Sequence, residues 1–304
     1  MVQGVKISLF GNLILFLVKA TALPFVNSLA ILSDLGISCV ALAISIILYY
    51  SIKLADKPAD PFHNYGYSKV ENVCEAMEGV VLIGIILAIS VQAAMNFIHP
   101  KHTNMPWVGF ICSIISVVIN FIGAFYILGL AKKSSSPAIH AEGLHYRLEG
   151  FISLAIGISF IISIILRLNG LNKIDAFVDP VATLLVSFML IFPSFNLARS
   201  AFFKLLDASI EESSKMEVIK LLGKYSHKYC DFRDLKSRSA GRKKFVELKL
   251  ILPEDIPFKE GHALAIALEK DISRNISESE IMIKVEPCGK DCHYIQKNQR
   301  CPYL

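Results

Sequence analysis

The sequence predicts a membrane protein, an α-helical bundle of six transmembrane helices followed by a small α+β domain. Three observations carry that reading. Of its 304 residues, 54% are hydrophobic and only 19% charged, with a mean hydropathy of +0.52, too apolar for an ordinary soluble domain. Six long apolar segments can be drawn in the first two thirds of the chain. Beyond Leu206 the hydropathy falls, and the pattern of apolar residues alternates between helical and strand periods.

The segments run Ile7–Phe25, Leu29–Ile52, Val73–Phe97, Trp107–Leu130, Glu142–Leu166 and Ala176–Leu197, each long enough to cross a bilayer core. Lys53, Lys57 and Lys69 follow the second, Lys132 and Lys133 the fourth, and Arg199 and Lys204 the sixth. The other side carries mainly Lys101, Arg167 and Lys173. This asymmetry predicts that both termini are cytoplasmic, in what is expected to be the cell membrane. The first apolar run lacks a small-residue cleavage site and reads as a retained helix. A net charge of +5, confined to loops and the C-terminal third, suits a positive membrane face and gives no nucleic-acid stripe.

The polar part reads as αββαβ. Glu211–Tyr225 and Lys259–Ile272 have helical periodicity, while Asp231–Arg238, Phe245–Leu252 and Glu280–Val285 read as strands. Ser239-Ala240-Gly241-Arg242 is the expected turn between the first two strands. Two helices would then cover one face of a three-stranded sheet. The predicted organisation is a membrane domain over 1–206, a cytoplasmic domain over 207–287 and a tail over 288–304.

The residues that carry chemistry centre on Ala141-Glu142-Gly143-Leu144-His145-Tyr146-Arg147-Leu148-Glu149-Gly150. On a helix, His145 and Glu149 lie one turn apart, with Cβ atoms about 6 Å from each other, so both can reach one divalent cation. An ionisable pair in an apolar segment faces other helices or a water-filled path; the alternative is a solvated pair at the helix end. Glu71, Glu75 and Glu78 recur at i, i+4 and i+7 on the third segment. They form either an electronegative vestibule or, the preferred reading, a headgroup-level cluster paired with Lys69. In the tail, Cys288, Cys292, His293 and Cys301 supply four soft ligands, enough for a structural Zn²⁺. Cys39, Cys74 and Cys112 read as packing residues. No G-x-x-x-x-G-K-[ST] loop occurs, which argues against ATP-driven transport. No nucleophile or acid–base constellation suggests an enzyme.

Several stretches, in order, resemble the cation diffusion facilitator (cation efflux) family over nearly the whole chain. They are Ser28–Asp34, Lys57–Glu71, Ala141–His145, Asp179-Pro180, Leu205–Asp207 and Val285–Cys288. The resemblance implies a homodimeric divalent metal transporter, exchanging zinc, iron or manganese for protons, with a ferredoxin- or metallochaperone-like cytoplasmic domain. It also implies a central site with two ligands from helix two and two from helix five. Helix five keeps its pair as His145 and Glu149, but the helix-two positions fall on Ile37 and Ala41, which cannot bind metal. Asp34, one turn before Ile37 and about 4.5 Å along the axis, is a candidate replacement, with Ser38 or water completing a site of harder character. Asp60 and His63 match a loop site in which Tyr67 replaces a histidine, leaving weak binding at most. In the cytoplasmic domain Arg233, Lys249 and Lys284 stand where histidines are expected, beside His262 and Glu286. Their charges would replace those of metals and pair with Glu286 and neighbouring acids. Lys69 and Asp207 are the positions of the dimer's hinge pair. The lost helix-two ligands also admit a transport-deficient partner or regulatory subunit in a heterodimer.

Overall fold

A computed structural model describes residues 2–26, 29–98, 106–170 and 172–289. The chain divides into two units, Met1–Phe202 and Phe203–Leu304. The first holds helices α1 (Val2–Val26), α2 (Leu29–Ala55), α3 (Val70–Ile98), α4 (Pro106–Ser134), α5 (Pro137–Leu168) and α6 (Asn172–Leu205). Over their described residues, five of these are long and apolar enough to cross a membrane. Their outer faces expose large apolar side chains such as Phe125, Phe188 and Val80, as a lipid-facing surface requires.

The helices outrun the apolar segments. α5 starts five residues before the expected Glu142, and α6 continues past Leu197 to Leu205. Hydropathy reports where the chain meets hydrocarbon, whereas helical hydrogen bonding continues into the polar margin. α5 starts where it does for a local reason. Ser136 has an extended backbone, its hydroxyl accepts from the Ile139 N–H, and Pro137 occupies the first turn.

α5 is the central helix. It packs against α3 and α4 and touches α2, while α1 packs on α2 and α4. α3 and α5 run parallel: Ser136 donates to Glu71 at 2.5 Å, and His145 lies beside Glu78 at 3.2 Å, a nearly constant sequence offset. One apolar cluster joins Ile37 of α2, Leu82 and Ile86 of α3, Ala141, Leu148 and Ile152 of α5, and Leu190 and Leu197 of α6. α3 and α6 cross closely at Gly79, where an added Cβ would come within 2.7 Å of the Ala198 backbone.

The second unit contains α7 (Glu212–Lys224), β1 (Asp231–Ala240), β2 (Lys243–Leu252), α8 (Phe258–Asn275) and β3 (Ser279–Pro287), with a short 3₁₀ turn over Ser226–Lys228. The sheet order is β1-β2-β3, antiparallel between β1 and β2 and parallel between β2 and β3. Gly241 takes the positive φ of 59° that the β1–β2 turn requires. Val218, Leu222, Leu250, Leu268 and Ile272 fill the core between helices and sheet. The expected αββαβ order is present; the strands and α8 run a few residues beyond the expected bounds, while α7 is one residue shorter at each end.

Gly79→Leu is expected to force α3 away from α6 and destabilise the bundle by about 1–3 kcal/mol. A lower midpoint in thermal unfolding of the detergent-solubilised protein would register it, and an unchanged midpoint would contradict the close crossing.

Candidate cation site

The bundle interior holds an unusual load of charge. Among the described residues, Glu71, Glu75, Glu78, Glu142 and Glu149 are all buried, against only Lys19 and His145 as buried basic groups. Glu71 and Glu78 are 0% exposed, so the headgroup-level reading of the helix-three glutamates is corrected. Their i, i+4, i+7 face turns inward onto α5, because α3 buries that face against its neighbour rather than presenting it to solvent.

His145 sits between two carboxylates. Its Nε2 is 3.2 Å from Glu149 Oε1, and its Nδ1 is 3.2 Å from Glu78 Oε1, off the line of a hydrogen bond. Neither oxygen of Glu78, nor Glu149 Oε2, has a hydrogen-bond partner. Helical spacing brings His145 and Glu149 together, as expected. Glu78 joins them from α3, a role that spacing along one helix could not reveal. The two carboxylates bracket the imidazole from opposite nitrogens rather than converge on one point, and among the described residues no group of three His, Cys, Asp or Glu is arranged to hold a metal.

One turn towards the start of α5, Glu142 Oε1 accepts from Ser8, from Ser45 at 2.6 Å and from Asn12 Nδ2 at 3.3 Å. Tyr146 donates to the Ser8 carbonyl at 2.6 Å. α1 therefore lines the polar interior. It also carries Lys19, 1% exposed, whose Nζ donates to Ser38 Oγ at 2.8 Å. Sequence reasoning missed Lys19; a lone lysine in an apolar run, far from either segment end, was the available signal.

The α2 positions Ile37 and Ala41 are buried and apolar. Asp34 falls within α2, but its side chain lies outside the described residues. Ser38, the suggested completing ligand, is bonded instead to Lys19.

In the loop, Asp60 and His63 do meet, but as a turn. Asp60 Oδ1 accepts from the Phe62 and His63 N–H groups at 2.9 and 2.7 Å, and Oδ2 accepts from the Tyr67 hydroxyl at 2.6 Å. That phenol, aided by the His63 and Phe62 amides, holds the Asp60 carboxyl down at about 2. Tyr67 thus closes the carboxylate that the sequence offered as a weak ligand.

In the C-terminal domain, Arg233, Lys249 and Lys284 lie in register across all three strands. Such a row of like charges is unfavourable unless acids intervene, and they do. Lys249 pairs with Asp234 at 3.0 Å and Glu286 at 3.3 Å, Lys284 with Glu286 at 3.0 Å, and Arg233 with Asp231 at 3.4 Å. A register shift between Arg233 and Lys236, with Asp234 at φ 53°, brings Asp234 to Lys249. Lys284 chiefly, with Lys249, depresses Glu286, and Lys249 depresses Asp234. His262 stacks on Phe258 at 5.8 Å and joins no metal-holding group with Glu286. Asp207, at φ 60°, accepts from Arg238 at 3.4 Å, and Lys69 is half-buried just before α3. Cys288 donates its backbone N–H to Leu252; Cys292, His293 and Cys301 lie outside the described residues.

The pattern "cation efflux transmembrane domain" matches residues 5–206, and "cation efflux protein, cytoplasmic domain" matches 210–288. The chain belongs to the cation efflux family. Relatives named cation-efflux pump FieF include one from Salmonella arizonae, 25% identical over 281 residues, covering 91% of this chain and 89% of the relative. Those from Salmonella schwarzengrund and Citrobacter koseri are each 24% identical, covering 90% and 91% of this chain and 89% of the relative. This family member is an integral membrane protein and not an enzyme.

Two outcomes check these contacts. Tyr67→Phe is expected to raise the Asp60 pKa from about 2 towards the ordinary carboxylate range, with the two amide bonds retaining part of the shift; ¹³C-carboxyl NMR would read it. The Lys249 pairs contribute stability that is present above the unfolded carboxylate pKa of about 4 and lost as pH falls through the depressed folded values. Lys249→Met should therefore flatten the acid limb of hydrogen-exchange protection in β2 and β3, corrected for intrinsic rates.

Proposed function

We propose that this protein exports a divalent cation of the Mn²⁺, Fe²⁺ or Zn²⁺ class from the cytosol, working as a homodimer by alternating access with protons as counter-ions. The observation that carries this reading is the charge balance inside the bundle. Five buried carboxylates face one buried ammonium and one imidazole among the described residues. In an apolar interior that excess of negative charge needs cations or protons to offset it. Membership of the cation efflux family supports cations as the cargo.

His145 and Glu149 hold the cation in this reading, Glu78 adds a carboxylate from α3, and Asp34 of α2 is the remaining candidate ligand. Two or three carboxylates with one imidazole make a harder set than a thiolate or all-imidazole site, which favours Mn²⁺ and Fe²⁺. The 3.2 Å spacing from Nε2 to Glu149 suits either a proton or a shared cation, while Glu78 stands 3.2 Å from Nδ1 off the line of a hydrogen bond. Loading and release would then exchange one for the other. The glutamates Glu71 and Glu75 extend the acidic face towards the start of α3, which in this reading lies on the cytoplasmic side of the cell membrane. The C-terminal lysine pairs are offered as metal-independent substitutes for bound cations in the dimerisation domain, and the tail cysteines and His293 as a structural Zn²⁺ site.

A second reading is favoured by the apolar residues at Ile37 and Ala41. The chain would be a transport-deficient subunit that partners another family member. Purified protein in proteoliposomes with an imposed pH gradient separates the two. Transport predicts Mn²⁺ or Zn²⁺ uptake that His145→Ala abolishes and Glu78→Gln lowers by about 10–100-fold. No uptake at any gradient, by a folded dimer, supports the partner subunit.

A further inference from the structure

Lys19 has no role in the site as the family resemblance describes it, yet it is among the most completely buried side chains in the bundle, 1% exposed. A lysine in an apolar helix would ordinarily extend its stem towards the nearer end and place the ammonium in water. This one turns inward and donates to Ser38 Oγ at 2.8 Å, on a serine that is itself 1% exposed.

The address of that bond matters. Ser38 follows Ile37 directly, one of the two α2 positions where metal ligands are missing. Ile37 packs with Ala141, Leu148 and Ile152 of α5, so this part of α2 faces the helix carrying His145 and Glu149. Across from it, Glu149 is 4% exposed, with Oε1 on the imidazole and Oε2 buried without a hydrogen-bond partner. Lys19 Nζ is held on Ser38, the neighbour of Ile37, and Ile37 shares an apolar cluster with Leu148 and Ile152, which flank Glu149 on α5. A buried carboxylate oxygen lacking a hydrogen bond is costly, and a nearby ammonium offsets that cost through space.

We propose that Lys19 is a tethered cation of the transport site, an ammonium that balances Glu149 while the site is empty and opposes the divalent ion when it binds. The missing ligands at Ile37 and Ala41 and the presence of Lys19 are then two sides of one arrangement. Ile37 and Ala41 bring no charge to the site, and α1 brings a positive one. Lys19 thereby sets a weak affinity and favours release of the cation. This inference rests on the cation-binding reading of His145 and Glu149. A purely structural lysine, pinning α1 to α2, would behave differently, because its loss would weaken the bundle without tightening any ion.

The test measures Mn²⁺ binding to full-length, detergent-solubilised protein at fixed pH by titration calorimetry. Lys19→Met and Lys19→Gln are each expected to bind Mn²⁺ at least about tenfold more tightly than the unsubstituted protein, since juxtaposed like charges are strongly unfavourable away from water. Lys19→Gln keeps a donor for Ser38 and so serves if the methionine variant does not fold. Lys19→Arg should stay near the original affinity, and adding Glu149→Gln to Lys19→Gln should remove the gain. If folded Lys19→Gln binds Mn²⁺ no more tightly than the original chain, or binds none, the tethered cation is overturned. Tightened binding without pH-driven uptake by the unsubstituted protein would sustain this inference and refute transport. Uptake with an unchanged affinity in Lys19→Gln would do the reverse.

Discussion

An ionised carboxylate inside an apolar helix bundle needs a positive charge or a proton within reach, and the membrane domain is arranged around that requirement. α3 and α5 run side by side in parallel, so Glu71 meets the capping Ser136 at the start of α5 and Glu78 meets His145 two turns further along. The acidic face of α3 is thereby matched, level by level, to the polar face of α5. Gly79 permits α6 to close against α3 next to Glu78, a carboxylate that is itself 0% exposed.

The first helix contributes more than an anchor. Ser8 and Asn12 bond Glu142, Tyr146 reaches back to the Ser8 carbonyl, and Lys19 crosses to Ser38. These contacts make α1 part of the polar interior and tie it to α2 and α5. Each is a hydrogen bond to a group that would otherwise be stranded in a low-dielectric interior, where such bonds matter most. In the C-terminal domain the same problem has a different setting. There the cations form a row across the sheet and the carboxylates are placed between them, with a bulge at Asp234 supplying one of the acids. Those pairs are largely solvated, so they specify geometry and partner charge more than they add stability.

The sequence by itself determined the architecture. Hydropathy located all six helices of the first unit, five of which are long and apolar enough over their described residues to cross a membrane, because burial in hydrocarbon demands long apolar runs, and the periodicities 3.6 and 2 separated the helices from the strands of the C-terminal domain. It also determined the His145–Glu149 pair, since neighbours four residues apart on a helix meet whatever surrounds them. The helix ends were less legible: α5 begins at a serine cap and α6 runs on past its apolar stretch, both set by hydrogen bonding rather than hydropathy. What only the tertiary structure decided is which faces meet across helices. The three glutamates of α3 read by preference as a headgroup-level cluster until α5 was placed against them. Lys19 drew no reading from the sequence, and its role emerged only where α1 packs on α2. Distances along one helix follow from its own geometry, but distances between helices follow from the packing of the whole bundle, and the partners of Glu78 and Lys19 belong to that second kind.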